Sequence, residues 1–266
     1  MELSHVVLVT GPFVGRSSML DTAEALRDAG ALVTEPDPHA AHPDTLPSLD
    51  DWALSMLPVV PRDPAPVVVG YSAGTMLAAW LAPQVGASGL ILMDGEIPAA
   101  KGPCPILPER VTSPLKERSG PDGLPRWSDW WPEDMAEPLG LGPLARLRPD
   151  LVEVLRGEER QFPTGWLDQQ LDLPDRGGIP TAYLRLSRFY DHAVREAEQL
   201  GWPVEHIDGS HLHPAIMGTE TAGALMALAG RLDGQQGTQA SSVVQVNYAD
   251  AAALADVVLR SFSTPA

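Results

Sequence analysis

The chain has 266 residues, 44% of them hydrophobic, and its 18 basic and 35 acidic side chains give a formal charge of −17. That acidity, with lysine only at Lys101 and Lys116, excludes a phosphate-backbone binder, and the single cysteine, Cys104, excludes an internal disulfide. There is no basic n-region near Met1, and no apolar run approaches the ~20 residues of a membrane-spanning helix, so the expectation is a cytoplasmic protein with no membrane and no nucleic-acid partner.

In chain order, Val6-Val7-Leu8-Val9 is a short β-branched run closed by Gly11-Pro12, which predicts a buried strand. Residues 17–29 carry Met19, Ala23 and Leu26 at helical spacing and stop at Gly30. Residues 31–33 predict a second strand. A proline-rich stretch, where His39 and His42 are expected to be solvated, leads to a helix over 49–57. Val67-Val68-Val69 predicts a strand ending at Gly70, a helix over 73–81 follows, and Leu90-Ile91-Leu92-Met93 predicts a fourth strand. Two more strands are predicted over 182–186 and 204–207, with a helix over 192–200 between them and a last core helix over 215–232. Helices alternating with continuously apolar strands predict an α/β fold with a doubly wound, mostly parallel sheet covered on both faces.

Two segments break the rhythm. Residues 95–178 separate the fourth strand from the fifth, are too long for a plain loop, and hold Trp127, Trp130, Trp131 and Trp166. They are expected to form a cap on a core made of residues 1–94 and 179–232. Of 27 prolines, 13 lie in that segment and 8 lie in 36–66, where proline stiffens irregular backbone and could pre-shape a pocket roof. Residues 233–266 read as a polar linker and an amphipathic helix with Leu254, Val258 and Phe262 on one face. That helix is expected to dock on the core or to pair two copies of the chain.

The chemistry centres on Gly70-Tyr71-Ser72-Ala73-Gly74. A G-x-S-x-G pattern is common by chance, but here it follows a valine strand and opens a helix, the setting of a nucleophile elbow. Glycine is needed at both flanks because the sharp turn leaves no room for side chains there. The turn exposes the Ser72 hydroxyl, and the helix N-terminus aims the Ala73 N–H at a developing oxyanion. Serine needs a base, and the base needs a carboxylate to orient it, in the chain order Ser, acid, His. His211, in Asp208-Gly209-Ser210-His211 after the last strand, is the expected base, with His213 two residues on. For the acid, Asp94 at a strand's end is favoured. Asp191, which also reads as a helix N-cap, is the alternative, and Glu96 is a third candidate. Trp127, Trp130, Trp131 and Trp166 line a substrate cleft or fill the cap's own core. Arg126 and Arg185 are expected to pair with local acids.

The elbow together with Leu92-Met93-Asp94 resembles the α/β-hydrolase superfamily, and within it the polyketide and peptide-synthase thioesterases. Gly11-Pro12-Phe13-Val14-Gly15, Leu124-Pro125-Arg126-Trp127-Ser128-Asp129-Trp130-Trp131 and Gly209-Ser210-His211-Leu212-His213 are similar to small capped bacterial α/β hydrolases. The resemblance covers residues 1 to about 232 and implies an acyl-enzyme on Ser72, His211 as base and Asp94 as acid, with no cofactor. It also implies a second oxyanion donor right after the first strand's glycine. That position is Pro12, which has no N–H, so the task passes to Phe13. The expected substrate is a hydrophobic acyl compound in a pocket that includes Pro12 and Tyr71. The alternatives are chain release or cyclisation in natural-product assembly, and a non-catalytic binder on the same scaffold.

Overall fold

The computed structural model describes residues 4–42 and 45–232. Its strands are β1 (His5–Val9), β2 (Leu32–Thr34), β3 (Val67–Tyr71), β4 (Gly89–Met93), β5 (Gly102–Pro105), β6 (Gln170–Leu173), β7 (Thr181–Arg185) and β8 (Val204–His206). Helices α1 (Leu20–Asp28), α2 (Pro38–Ala41), α3 (Leu49–Leu54) and α4 (Gly74–Val85) precede β4. Between β5 and β6 come α5 (Glu109–Glu117), α6 (Ala136–Leu139), α7 (Leu141–Leu147) and α8 (Pro149–Glu158). The described residues end with α9 (Asp191–Gln199), α10 (His213–Ile216) and α11 (Gly218–Leu232).

Six strands form a sheet in the order β2-β1-β3-β4-β7-β8, every neighbouring pair parallel. Period-2 alternation sends the side chains to two cores. Val7, Val68, Leu90 and Leu92 face α3, α4 and α9, whereas Val6, Val67, Val69, Ile91 and Met93 face α1 and α11. Because both faces are covered, the central strands are apolar throughout, which is why they were legible as unbroken runs.

Several boundaries differ from the sequence expectation. The segment over 17–29 starts as a 3₁₀ turn at Arg16–Met19, and the helix over 49–57 stops at Leu54. The last helix divides at Met217, and Gly218 packs so tightly on α1 that a Cβ there would stand 2.2 Å from the Asp21 carbonyl carbon. The antiparallel β5–β6 hairpin inside the insertion was not foreseen. Its first strand reads Gly-Pro-Cys-Pro, and prolines supply no ladder N–H, a composition tolerated at an edge. His39 is not solvated either. Its ring stands edge-on to Trp52 at 4.7 Å, and burial lowers its pKa to about 4. Among the described residues no helix is long and apolar enough to cross a membrane. The expected helix near Leu254 lies outside the described residues.

Candidate active site

The parallel order brings the carboxyl ends of β3, β4 and β7 to one edge, and three side chains converge there. Ser72, between β3 and α4, takes the left-handed φ of +57°, and its N–H donates to the Met93 carbonyl at 3.0 Å. Non-glycine residues adopt that conformation only where packing compels it. A Cβ on Gly70 would lie 2.6 Å from the Ala78 Cβ, and one on Gly74 would lie 2.3 Å from the Val9 carbonyl oxygen. Both glycines of the motif are therefore steric requirements of the turn.

His211 Nε2 lies 2.9 Å from Ser72 Oγ, and His211 Nδ1 lies 2.8 Å from Asp94 Oδ2. Asp94, fully buried with φ +44°, follows β4 directly. Its Oδ1 accepts the N–H groups of Leu186 and Ser187 at 2.9 and 2.8 Å, and its Oδ2 also accepts the Ser187 hydroxyl at 2.7 Å. A carboxylate so bonded accepts only, so the imidazole proton sits on Nδ1 and the Nε2 lone pair faces the serine hydroxyl. The Tyr71 hydroxyl donates to the His211 carbonyl at 2.5 Å and steadies the same loop.

The other candidate acids lie elsewhere. Asp191 is the first residue of α9 and makes no capping bond. It sits 3.5 Å from Arg185 and is half exposed. Arg185 also meets Asp208, whereas Arg126 donates to the Arg156 carbonyl and not to an acid. Glu96 is engaged by Arg110 and by His192, and His213 pairs with Glu220 at 3.0 Å.

Ser72 opens into a cavity of about 460 Å³. Tyr71, Ala73, Phe13, Trp127, Trp130 and Trp131 all border it. The N–H groups of Ala73 and Phe13 donate to no protein acceptor among the described residues. Phe13 is held by aromatic edges, 4.9 Å from Trp130 and 5.2 Å from Phe162 between ring centres. Two expected lining residues do not reach the cavity. Trp166 is buried between Phe162 and Trp52, with its Nε1–H on the Pro47 carbonyl, and Pro12 is not on the cavity wall although Phe13 is.

Sequence reasoning passed over Tyr190 and Ser187. Tyr190 borders the cavity, its ring centre is 5.8 Å from that of His211, and its hydroxyl lies near enough to the Ser72 side chain to interact with it. Burial, reinforced by the charges of Glu96 and Asp94, holds that phenol protonated well above its ordinary pKa. Its place just before α9 carries no sequence signal of its own.

Neither family models nor curated proteins match the chain. Solved structures do. The fold is similar to an extracellular α/β-hydrolase from a Paenibacillus species, at a TM-score of 0.61 and 16% identity over 85% of this chain and 98% of that one. It is also similar to tomato methylketone synthase I in complex with 2-tridecanone (TM-score 0.62, 14% identity, 87% and 100% covered). Polyneuridine aldehyde esterase is a third such structure, at a TM-score of 0.62 and 17% identity, with 86% and 100% covered. At these identities the likeness speaks for the fold: the chain has the α/β-hydrolase architecture.

Proposed function

On the α/β-hydrolase fold, we propose that this protein is a serine hydrolase that cleaves a carboxylic ester or thioester through an acyl-enzyme on Ser72. The observation that carries the reading is the unbroken relay from Ser72 Oγ to His211 to Asp94, at 2.9 and 2.8 Å. Ser72 Oγ attacks the acyl carbonyl while His211 Nε2 takes its proton. Asp94 balances the imidazolium through Nδ1–H, and the oxyanion is met by the N–H groups of Ala73 and Phe13. Nε2 then returns the proton to the departing alcohol or thiol, and a water activated by the same nitrogen releases the acid. The chemistry calls for no cofactor. We assign the acid role to Asp94, since Asp191 is committed to Arg185.

Residues 95–178 are read as the cap. Trp127, Trp130 and Trp131 on the cavity wall suit a hydrophobic acyl group, and such a wall also suits chain release or cyclisation by a tethered nucleophile. The non-catalytic alternative drew its support from Pro12, and the Phe13 N–H, which has no protein acceptor among the described residues, supports a donor in its place. A cytoplasmic location fits a chain whose one cysteine, Cys104, is buried and free. The test is labelling of the folded protein with a fluorophosphonate, followed by turnover of an ester and thioester panel. Labelling at Ser72 that is lost in Ser72→Ala is the expected result. No labelling at Ser72 overturns the reading.

A further inference from the structure

The cavity wall is chemically uneven. Apart from His211, its charged and imidazole side chains are Glu96, Arg110, His192 and Glu196, and they gather on one side. Glu96 is joined to Arg110 and, at 3.0 Å, to His192 Nε2. His192 and Glu196 are one helical turn apart on α9, so both point from the same helix face.

His192 is the informative member. Nε2 lies 3.0 Å from the Glu96 carboxylate, which accepts, and 3.2 Å from the Arg110 guanidinium, which donates, so the two contacts favour opposite tautomers and Nδ1 presents either a lone pair or a hydrogen. Burial opposes ionisation of Glu96, but His192 and Arg110 more than offset it and hold its pKa below the ordinary value. The Nδ1 atom is buried and has no hydrogen-bond partner among the described residues, an arrangement that proteins avoid unless something else completes it.

Charge narrows what that partner is. Arg110 is paired with Glu96, and the charge of Arg176 acts on Glu196, so two guanidinium groups stand against two carboxyl groups and no positive excess remains for an anion. Burial, assisted by the Glu96 charge, pushes the Glu196 pKa up. A hydroxyl suits both neighbours in either state, since it can donate to a lone pair or a carboxylate and accept from an imidazole N–H.

We propose that this wall is a subsite for a hydroxyl group carried on an otherwise apolar acyl substrate. The inference rests on the acyl-enzyme reading for its reaction, though not for its binding. It selects hydroxylated acyl esters or thioesters over their unsubstituted counterparts.

The experiment uses a saturated fatty methyl ester and a series of monohydroxylated analogues, with the hydroxyl walked along the chain. In the wild type, kcat/KM for the best hydroxylated ester is expected to exceed that of the plain ester by about tenfold, the value of one satisfied buried hydrogen bond. His192→Leu is expected to abolish that ratio, and His192→Asn, whose amide keeps a donor and an acceptor near the lost Nδ1, to restore it. Equilibrium binding of the same esters to Ser72→Ala protein reads the preference without turnover. It therefore separates failure of the subsite from failure of the acyl-enzyme. A ratio near one across the whole series, a ratio untouched by His192→Leu, or tighter binding of a carboxylated or aminated analogue overturns the proposal.

Discussion

The carboxyl edge of the sheet and the insertion above it meet at one cavity but are built in opposite ways. At the edge, geometry is set by backbone: Ser72 and Asp94 hold positive φ, and a Cβ on Gly95 would lie 2.3 Å from the Ser72 carbonyl oxygen. In the insertion, short helices and prolines are held by side chains, as where Phe13, Phe162, Trp130 and Trp166 interleave. Reacting groups need placement within fractions of an ångström, which strand ends supply, whereas a pocket needs volume and shape, which packed rings supply.

The comparison predicts two kinds of damage, and five measurements would break or sharpen it. The largest effect belongs to Ser72→Ala, which is expected to lower kcat by about 10⁶-fold with an unchanged thermal midpoint. Next, Asp94→Asn should cost about 10⁴-fold in kcat by favouring the wrong imidazole tautomer, while Asp191→Asn stays near wild type. The reverse order would move the acid to α9. On the insertion side, Trp166→Ala is expected to cost about 3–5 kcal/mol of stability, read from urea unfolding, because it empties a buried aromatic site. Tyr190→Phe, which removes the cavity-wall hydroxyl near Ser72, should lower kcat about tenfold, with the unfolding midpoint preserved.

The smallest effect concerns pH. His39 titrates at about 4 when folded, against 6.5 for an ordinary histidine, chiefly because it is buried. The unfolded chain therefore takes up the proton first. This contribution to stability is complete above the unfolded value and is lost as pH falls toward the folded one. Replacing His39 by Gln should flatten the urea midpoint across that window. An unchanged slope would show that another group carries the acid sensitivity.

What could be read in advance follows the same division. The valine run before Gly70 and the apolar run before Asp94 announce strands buried on both faces, and G-x-S-x-G gains meaning only from standing between strand and helix. These are local signals. The supports of the site are not local: Asp94 is bonded by Leu186 and Ser187, more than ninety positions away, and Glu96 meets Arg110 and His192 only once the sheet is assembled. Asp191 misled for a related reason. An aspartate ahead of a helix has the composition of an N-cap, yet Asp191 already lies inside the helix and turns to Arg185. Likewise Gly-Pro-Cys-Pro has the composition of a loop and becomes a strand only because Gln170–Leu173 runs beside it.

The close fit of Gly95 under Ser72 has a consequence for how such a protein can change. The Ser72 N–H is tied to Met93, one residue before Asp94, so the proposed nucleophile and acid share a single joint formed by two adjacent strand ends. The insertion begins just beyond that joint and returns to the sheet at β7. Apart from the parts that brace the His211 loop, where Leu139 accepts the Leu212 N–H and Trp127 lies 6.1 Å from the His211 ring, its length, helices and aromatic residues are expected to tolerate exchange without altering the Ser72–Asp94 joint. On the proposed reading, substrate range and reaction type would then be largely separable in this chain. Transplanting residues 98–178 from a relative of different preference is expected to redirect what is cleaved while leaving fluorophosphonate reactivity at Ser72 intact.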